Sequence, residues 1–488
     1  MRRRVSWRWL PGLVIGLMLG QMAAMPADLP VAGDTIRGFW RGTLKAGPQT
    51  FGLVFEMERD AQGALTAKLH SLDQDALDLA VDEVSLQGGT LKLQVKAIAG
   101  AFEGKLSEDG AKLTGQWTQG GESLPLVMTH VEAVPELIRP QEPLKPYPYD
   151  TAEVSFAIPG LERKVAGTLT TPRGQGPFPA VMLVPNATSA PDRNSRAHGH
   201  RPLLVLADTL TRRGIATLRV DTRGVALTDK NALGTSAERA SDALVGIEFL
   251  KVQEKIDPHK IGLIGYGEGG LVAPLAAARS TDVAFLVLLA APGLTGAELM
   301  GLQAINLPKA MGLPNSTAIQ SLDTQAEIFD IIQSETDESV LEAKLRAVLQ
   351  REIGNQIGKA ANPGKAADDR QALIETLTKN QLQVLMQPWF RFFLTHDPKT
   401  TLRKVHCPVL AISGEKDVLV PARENLRAIE QALTEAGNRE YLVQTLPGLN
   451  HNFQTSETGS PAEFGKIKET FAPAALKIIG DWIAKHTA

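Results

Sequence analysis

The stretch IGLIGYGEGG, residues 261–270, decides the fold of this chain. Its first residues are apolar enough for a buried strand, and the glycines that follow predict a sharp turn and the start of a helix. Gly267 falls at the tip of that turn. Gly265 and Gly269 flank the tip, where a side chain would collide because the strand and the helix approach each other closely. The stretch therefore predicts a strand, a turn and a helix that present residue 267 at the edge of a sheet.

A strand–turn–helix of this form is a nucleophile elbow, in which a serine stands at the tip and attacks a carbonyl carbon. In this sequence the tip is Gly267, which has no side chain, so the nucleophile position is predicted to be vacant. Glu268 occupies the position whose backbone N–H binds the oxyanion in such sites. Tyr266 precedes the tip and is predicted to point into the packing.

The other two members of a catalytic triad are present in the order acid, then base. Asp417 follows an apolar run at 409–413, and a carboxylate there is placed to orient an imidazole. His451 lies in the loop after a predicted last strand at 440–446. Because the carboxyl ends of parallel strands share one edge of a sheet, we expect Asp417 and His451 to meet beside Gly267.

Strand-like apolar runs alternate with helical patterns between residues 179 and 290, and the alternation resumes after 409. This rhythm predicts a mostly parallel, doubly wound sheet with helices on both faces. Residues 296–398 interrupt it with polar, helical sequence. We interpret them as a helical cap, the usual device for enclosing a substrate.

These features resemble the exported bacterial α/β-hydrolases of the esterase and serine-aminopeptidase-like group, and the resemblance covers residues 149–488. It rests on the elbow, on Asp417 within the run GEKD at 414–417, and on His451 within LNH at 449–451. It implies the α/β-hydrolase fold, hydrolysis of esters, thioesters or short acyl compounds, and no cofactor or metal. The oxyanion and pocket positions that it implies are Glu268, Asn186, Ala187, Thr188 and Ser189.

The sequence departs from that family at three places. The nucleophilic serine is Gly267, and Pro185-Asn186 replaces the His-Gly that begins the oxyanion loop. The third is DTRGVALT, residues 221–228, where the family has Asp-x-Arg-Gly-x-Gly-x-Ser. Three separate changes indicate relaxed or redirected selection.

Three functions remain open at this point. The first is a pseudo-hydrolase that binds a small acyl or ester ligand, or a partner, in the old pocket. The second is an active hydrolase in which His451, oriented by Asp417, activates a water held over Gly267. The third places the nucleophile elsewhere, with Thr188 or Ser189 of the oxyanion loop as candidates.

Residues 34–130 predict a small all-β barrel or sandwich, because apolar and polar residues alternate between turn signals such as Gly88-Gly89. We expect seven or eight strands. The domain that they form is expected either to pack against the next domain or to bind an apolar ligand. Five prolines within 131–148 predict a semi-rigid linker. Among the histidines, His70 and His130 are interpreted as isolated strand or surface residues, and His198 and His200 as candidates to line the pocket.

Residues 1–27 have the pattern of a secretory signal peptide, with arginines first, an apolar run at 10–20 and small residues after it. That run is shorter than the roughly 20 residues that span a bilayer. We therefore expect an exported protein, periplasmic or extracellular, with a retained N-terminal anchor as the alternative. The formal net charge of −3 gives no reason to expect nucleic acid. Cys407 is the single cysteine and is interpreted as a packed core thiol.

Overall fold

A computed structural model describes residues 36–46, 49–71, 76–119, 122–133, 139–160, 164–186, 192–222, 234–312, 315–360 and 367–488. The predicted signal peptide and the candidate site residues Ala187, Thr188 and Ser189 lie outside these residues. The chain forms two compact units. The first holds the described residues before Arg139 together with Glu342–Leu382, and the second holds Arg139–Leu341 and Gln383–Ala488.

The first unit contains a sheet of nine antiparallel strands, where the sequence predicts seven or eight. The two edge strands, β4 and β5, are consecutive in the chain and are separated by Val81 and Asp82 alone. These corner residues donate backbone hydrogen bonds to Ala67 and Gln94, so the sheet is strongly curved there. The strands are β1 (Gly38–Ala46), β2 (Gln49–Arg59), β3 (Leu65–Ser71), β4 (Ala76–Ala80), β5 (Glu83–Gln87), β6 (Thr90–Val95), β7 (Gly100–Leu106), β8 (Lys112–Gln119) and β9 (Glu122–Val131).

The concave side of this sheet is filled by side chains. Trp40, Phe55, Phe102 and Trp117 are each 1% exposed or less. The Phe55 ring lies 6.5 Å from that of Phe102 and 6.2 Å from that of Trp117, measured between ring centroids. Buried aromatic area of this kind is a large share of a small domain's stability. The aromatic packing favours a structural core over a cavity for an apolar ligand.

The second unit is an eight-stranded mixed sheet with helices on both faces. Its strands are β10 (Asp150–Phe156), β11 (Val165–Thr171), β12 (Phe178–Val184), β13 (Ala216–Val220), β14 (Ile256–Tyr266), β15 (Leu286–Leu289), β16 (Val409–Gly414) and β17 (Tyr441–Leu446). The helices of the chain are α1 (Pro202–Arg212), α2 (Ser236–Lys251), α3 (Gly269–Ala277), α4 (Gly296–Ala310), α5 (Asn315–Ser334), α6 (Glu338–Ala360), α7 (Ala367–Leu385), α8 (Pro388–Thr395), α9 (Pro398–Leu402), α10 (Ala422–Glu435), α11 (Pro461–Phe464) and α12 (Pro473–Thr487).

The strand order is β10-β11-β13-β12-β14-β15-β16-β17. Strands β13 through β17 pair in parallel along that order, and β10 and β11 are antiparallel additions at one edge. All residues of β13, β15 and β16 are buried, as expected for strands covered on both faces. The predicted parallel rhythm is therefore present, whereas β10 and β11 were not expected from the sequence.

Two apolar layers hold the sheet between its helices. One layer joins side chains of α2, α3 and α10 to the sheet, through Ile247, Val272 and Ile429 among others. The other joins α1 and α12 to the opposite face, through Leu206 and Ile479 among others. These layers fix the carboxyl edge of the parallel strands, from which the elbow and the loops after β16 and β17 emerge.

The second unit begins at Arg139, within the predicted linker 131–148. Residues 139–148 belong to the second unit, and Arg139 is buried there. Its guanidinium donates to the backbone carbonyls of His198 (2.7 Å), Gly465 (2.9 Å) and Ile467 (2.6 Å). A buried arginine with several carbonyl acceptors holds this part of the proline-rich segment against the second unit.

Most of the described residues of the predicted cap at 296–398 are helical, in α4 to α8, with short non-helical connections between the helices. Its central part, Glu342–Leu382, belongs to the first unit, so the segment is divided between the two units. Within that part, Arg346 on α6 donates to Glu375 on α7 (2.7 Å).

The sequence predicts that the single cysteine, Cys407, is a packed core thiol. Cys407 packs against the apolar layer of the sheet, and burial raises the pKa of its thiol to about 12, as expected for an inert core thiol. Among the described helices, none combines the length and the apolar character required to cross a bilayer.

Candidate active site

The elbow forms where β14 ends at Tyr266 and α3 begins at Gly269. Gly267 has φ +55°, a left-handed conformation that glycine adopts without steric cost. The N–H of Gly267 donates to Leu289 O (2.9 Å), and its carbonyl accepts from the N–H of Gly270 (2.9 Å). A Cβ on Gly265 would lie 2.2 Å from Gly269 O, so the strand and the helix are in contact through bare backbone. Residue 267 thus stands at the tip of a tight strand-to-helix turn.

The loops after β16 and β17 bring the predicted acid and base together. The Nδ1 atom of His451 lies 2.8 Å from Oδ2 of Asp417. The other carboxylate oxygen of Asp417 accepts the backbone N–H groups of Leu419 (2.9 Å) and Val420 (2.7 Å). Because Asp417 accepts at Nδ1, the Nε2 atom of neutral His451 carries a lone pair, the state required of a general base.

The imidazole lies beside the elbow. Tyr266, which directly precedes Gly267, has its ring centroid 5.8 Å from that of His451. The Tyr266 hydroxyl donates to Oδ1 of Asn452 (2.8 Å) in the loop that carries His451. Tyr266 is 3% exposed, as the sequence predicts, and burial raises the pKa of its hydroxyl well above the ordinary value.

The space over Gly267 is taken by the side chain of Asn186. A Cβ on Gly267 would lie 2.3 Å from Oδ1 and 3.1 Å from Nδ2 of Asn186. The backbone N–H of Glu268 donates to Oδ1 of Asn186 (2.7 Å). In an elbow site this N–H binds the oxyanion, so the Asn186 carbonyl stands where the oxygen of a substrate would be stabilised. The nucleophile is absent and the oxyanion donor is occupied.

Similarity to a known protein covers only part of this chain. No family model matches the chain. Residues of this chain are 31% identical over 154 residues to Esterase EstD of Thermotoga maritima, a match that covers 31% of this chain and 35% of the esterase. The chain thus spans about a third of the length of that curated relative.

Solved structures of α/β-hydrolases are also similar to this chain. The α/β hydrolase GrgF from Penicillium is 17% identical with a TM-score of 0.40, covering 69% of this chain and 99% of GrgF. A Pyrococcus furiosus esterase is 14% identical with a TM-score of 0.39, covering 70% of this chain and 92% of the esterase. The strand order and the helices on both faces give the second unit the α/β-hydrolase fold that the sequence predicts.

The side chain of Glu268 has a different role from the backbone N–H of the same residue. Its Oε1 atom accepts from Ser236 Oγ (2.7 Å) and from the indole Nε1–H of Trp389 (2.7 Å). Arg239 Nη1 lies 3.2 Å from the same oxygen, and the side chains of Arg239 and Glu268 are 7% and 10% exposed. The carboxylate is therefore held by a buried network that links the elbow to α2 and α8, and it is not placed as a nucleophile.

The structure places His198 and His200 against Phe464, Thr470 and Gln454. His200 is 2% exposed, with Nδ1 2.9 Å from Thr470 Oγ1 and Nε2 2.9 Å from Gln454 Nε2. Burial, reinforced by the nearby charge of Arg139, lowers the pKa of His200 to about 4. His198 packs edge-on against Phe464. Phe464, Thr470 and Gln454 belong neither to the elbow nor to the Asp417–His451 pair.

His70 lies in strand β3, as interpreted from the sequence, but it is not isolated. His70 is 5% exposed, and its Nε2 atom lies 3.2 Å from Oε2 of Glu56. Its Nδ1 atom accepts the backbone N–H of Asp78 (3.2 Å), so Nε2 carries the ring proton. Lys68 pairs with both carboxylates, at 3.8 Å from Glu56 and 3.5 Å from Asp78. No sequence pattern could have found this cluster, because it forms only through strand register.

Sequence reasoning missed the part played by Asn186. Pro185-Asn186 stood out as a departure from the family, but only packing places the amide over Gly267. A surface cavity of about 500 Å³ elsewhere in the unit is lined by Glu298, Lys399 and Arg427 among others. It includes none of the site residues, so we assign it no part in the chemistry.

Proposed function

We propose that this chain is a pseudo-hydrolase of the carboxylic-ester-hydrolase type, which binds a small acyl-type ligand at the former active site without forming a covalent intermediate. The observation that carries the proposal is the occupation of the elbow, with Gly267 at the tip and Asn186 over it. From the residues at 1–27 we also propose that it is exported.

The chemical argument begins with the nucleophile. An acyl-enzyme requires an attacking side-chain atom, and glycine supplies none. Loss of a triad nucleophile costs roughly 10⁶ in rate. The Asn186 carbonyl removes a second contribution, because an oxyanion donor accounts for roughly 10²–10³ in rate and this one is already bonded.

A second candidate function rests on a different observation. The Asp417–His451 pair keeps the geometry of an oriented general base. A water activated by His451 would attack an ester directly, provided that it finds room over Gly267. Asn186 fills that room, which argues against the water mechanism.

The test compares turnover and binding in the same samples. Wild type, His451→Ala and Arg427→Ala are assayed with p-nitrophenyl esters, with a fluorophosphonate label, and by thermal shift with short acyl ligands. Arg427→Ala is the control, because Arg427 lines the separate surface cavity. We expect no covalent adduct, no turnover that depends on His451, and ligand-induced stabilisation that is lost only in His451→Ala.

Two results would contradict the proposal. Turnover that disappears in His451→Ala would establish the water mechanism instead. A fluorophosphonate adduct on any residue would identify a nucleophile elsewhere, as Thr188 or Ser189 would provide.

A further inference from the structure

The site retains two polar groups that the described part of the protein does not satisfy. The Glu268 N–H binds Oδ1 of Asn186, and the Nδ2 amide of Asn186 has no hydrogen-bond partner among the described residues. The Nε2 atom of His451 likewise has none, because Asp417 engages Nδ1. Asn186 is partly exposed and the His451 side chain is 11% exposed, so a ligand can reach the site. The chemistry of these two groups identifies a ligand class, on the condition that the proposed function holds.

The two groups distinguish between ligand classes by their donor and acceptor pattern. Asn186 presents N–H donors, and neutral His451 presents an acceptor that becomes a donor when it is protonated. An ester has acceptors alone, so it can bond to Asn186 but leaves the His451 nitrogen desolvated and unpaired. A buried polar atom without a partner carries a substantial free-energy cost.

A primary amide offers both a donor and an acceptor, but only through neutral hydrogen bonds. A carboxylic acid can meet both groups through ionised ones. Its proton passes to Nε2 of His451, and the resulting carboxylate accepts from the imidazolium and from Nδ2 of Asn186. No covalent bond to carbon forms or breaks, and the proton comes from the acid or, when the ligand arrives ionised, from solvent. Hydrogen bonds between ionised groups are about twice as strong as neutral ones.

The surrounding charges support this arrangement. The carboxylate of Asp417 lies 2.8 Å from Nδ1 of His451 and stabilises the imidazolium from its other side. The Tyr266 hydroxyl, which packs beside the ring, is held neutral by burial. Arg239 and Glu268 pair with each other, so they present little net charge. We propose that the ligand of this site carries a carboxylic acid group, bound between Asn186 and His451 as a carboxylate.

The experiment is isothermal titration of the full-length protein with matched acids, methyl esters and primary amides. Benzoate, methyl benzoate and benzamide form one series, and butyrate, methyl butyrate and butyramide form a second. We expect the acid of at least one series to bind about tenfold or more tightly than its ester and amide. The binding enthalpy should depend on the ionisation enthalpy of the buffer, because one proton is taken up.

Asn186→Asp is the discriminating variant. It keeps an oxygen that accepts the Glu268 N–H but replaces the Nδ2 donor by a negative oxygen. It should therefore weaken the acid about tenfold more than it weakens the ester, because the acid loses an ionised hydrogen bond and the ester a neutral one. His451→Gln should abolish the proton uptake. Arg427→Ala, in the separate cavity, should change nothing.

The outcomes separate this inference from the proposed function. If an ester or amide binds as tightly as its acid and is lost in His451→Ala, the site is a ligand site but the ligand is not an acid. If no compound binds, or binding is the same in every variant that folds like wild type by circular dichroism, both proposals fail.

Discussion

The side-chain carbonyl of Asn186 accepts the backbone N–H of Glu268 at 2.7 Å, directly above the bare Cα of Gly267. The protein's own amide therefore occupies the position that a hydrolase reserves for the carbonyl oxygen of its substrate. A side chain at residue 267 and the amide of Asn186 would exclude each other, so the glycine at 267 is what leaves room for Asn186.

The first prediction is that Gly267→Ser alone restores little hydrolytic activity. The Cβ of Gly267→Ser would meet Asn186 Oδ1 at 2.3 Å, and the oxyanion donor would stay occupied. We expect Gly267→Ser with Asn186→Ala to react with a fluorophosphonate and hydrolyse p-nitrophenyl butyrate about 10²-fold faster than Gly267→Ser. Rates are compared at equal protein concentration.

The control adds Asp417→Asn to the same double variant. Without the carboxylate the imidazole of His451 takes the wrong tautomer, so turnover should fall by roughly 10⁴. Equal labelling of the single and double serine variants would show that Asn186 does not block the site.

The second prediction concerns stability at the elbow. Gly267→Ala places a side chain in a left-handed conformation and against Asn186, which we expect to cost about 2–4 kcal/mol of unfolding free energy. Gly437→Ala is the matched control in the same unit, with φ +70° and nothing within 4 Å of the added Cβ, and should cost about 1 kcal/mol. Urea unfolding measures both.

Adding Asn186→Ala should recover part of the Gly267→Ala loss by removing the crowding. No recovery would mean that backbone conformation alone sets the cost.

The third prediction concerns the buried ion pair beneath the elbow. Arg239→Met leaves the carboxylate of Glu268 buried without its cation, and we expect a loss of about 3–5 kcal/mol in unfolding free energy. Arg212→Met removes the cation paired with Asp208, which keeps its hydrogen bond from Tyr149. The arginine side chain is 46% exposed, so this change should cost about 0–1 kcal/mol. Losses of equal size in the two variants would contradict the assigned role of the network.

The fourth prediction is a pH dependence that arises at His200. Burial lowers its folded pKa to about 4, against about 6.5 in an unfolded chain, so the unfolded state binds the proton more tightly. This contribution to stability is complete above pH 6.5 and is lost as the pH falls toward 4, by up to about 3 kcal/mol.

The measurement is the urea midpoint of wild type and His200→Gln at pH 7 and pH 5. Wild type should lose more stability than the variant over that interval. An equal loss in both proteins would place the acid sensitivity at other groups.

Local patterns in the sequence were enough for several conclusions. The glycine spacing in 261–270 predicted the strand, the tight turn and the helix, because the close approach at Gly265 tolerates no side chain. The apolar runs predicted the parallel core strands, since strands covered on both faces have few polar positions. The vacancy at residue 267 is itself a sequence fact.

The tertiary structure decided what depends on contacts between distant segments. The occupation of the oxyanion donor by Asn186, the network of Glu268 with Arg239 and Trp389, and the burial of His70 beside Glu56 all join residues that no local pattern connects. Periodicity reports which face of an element is buried, but a hydrogen bond depends on where two elements meet, and that position is set by the packing of the whole unit.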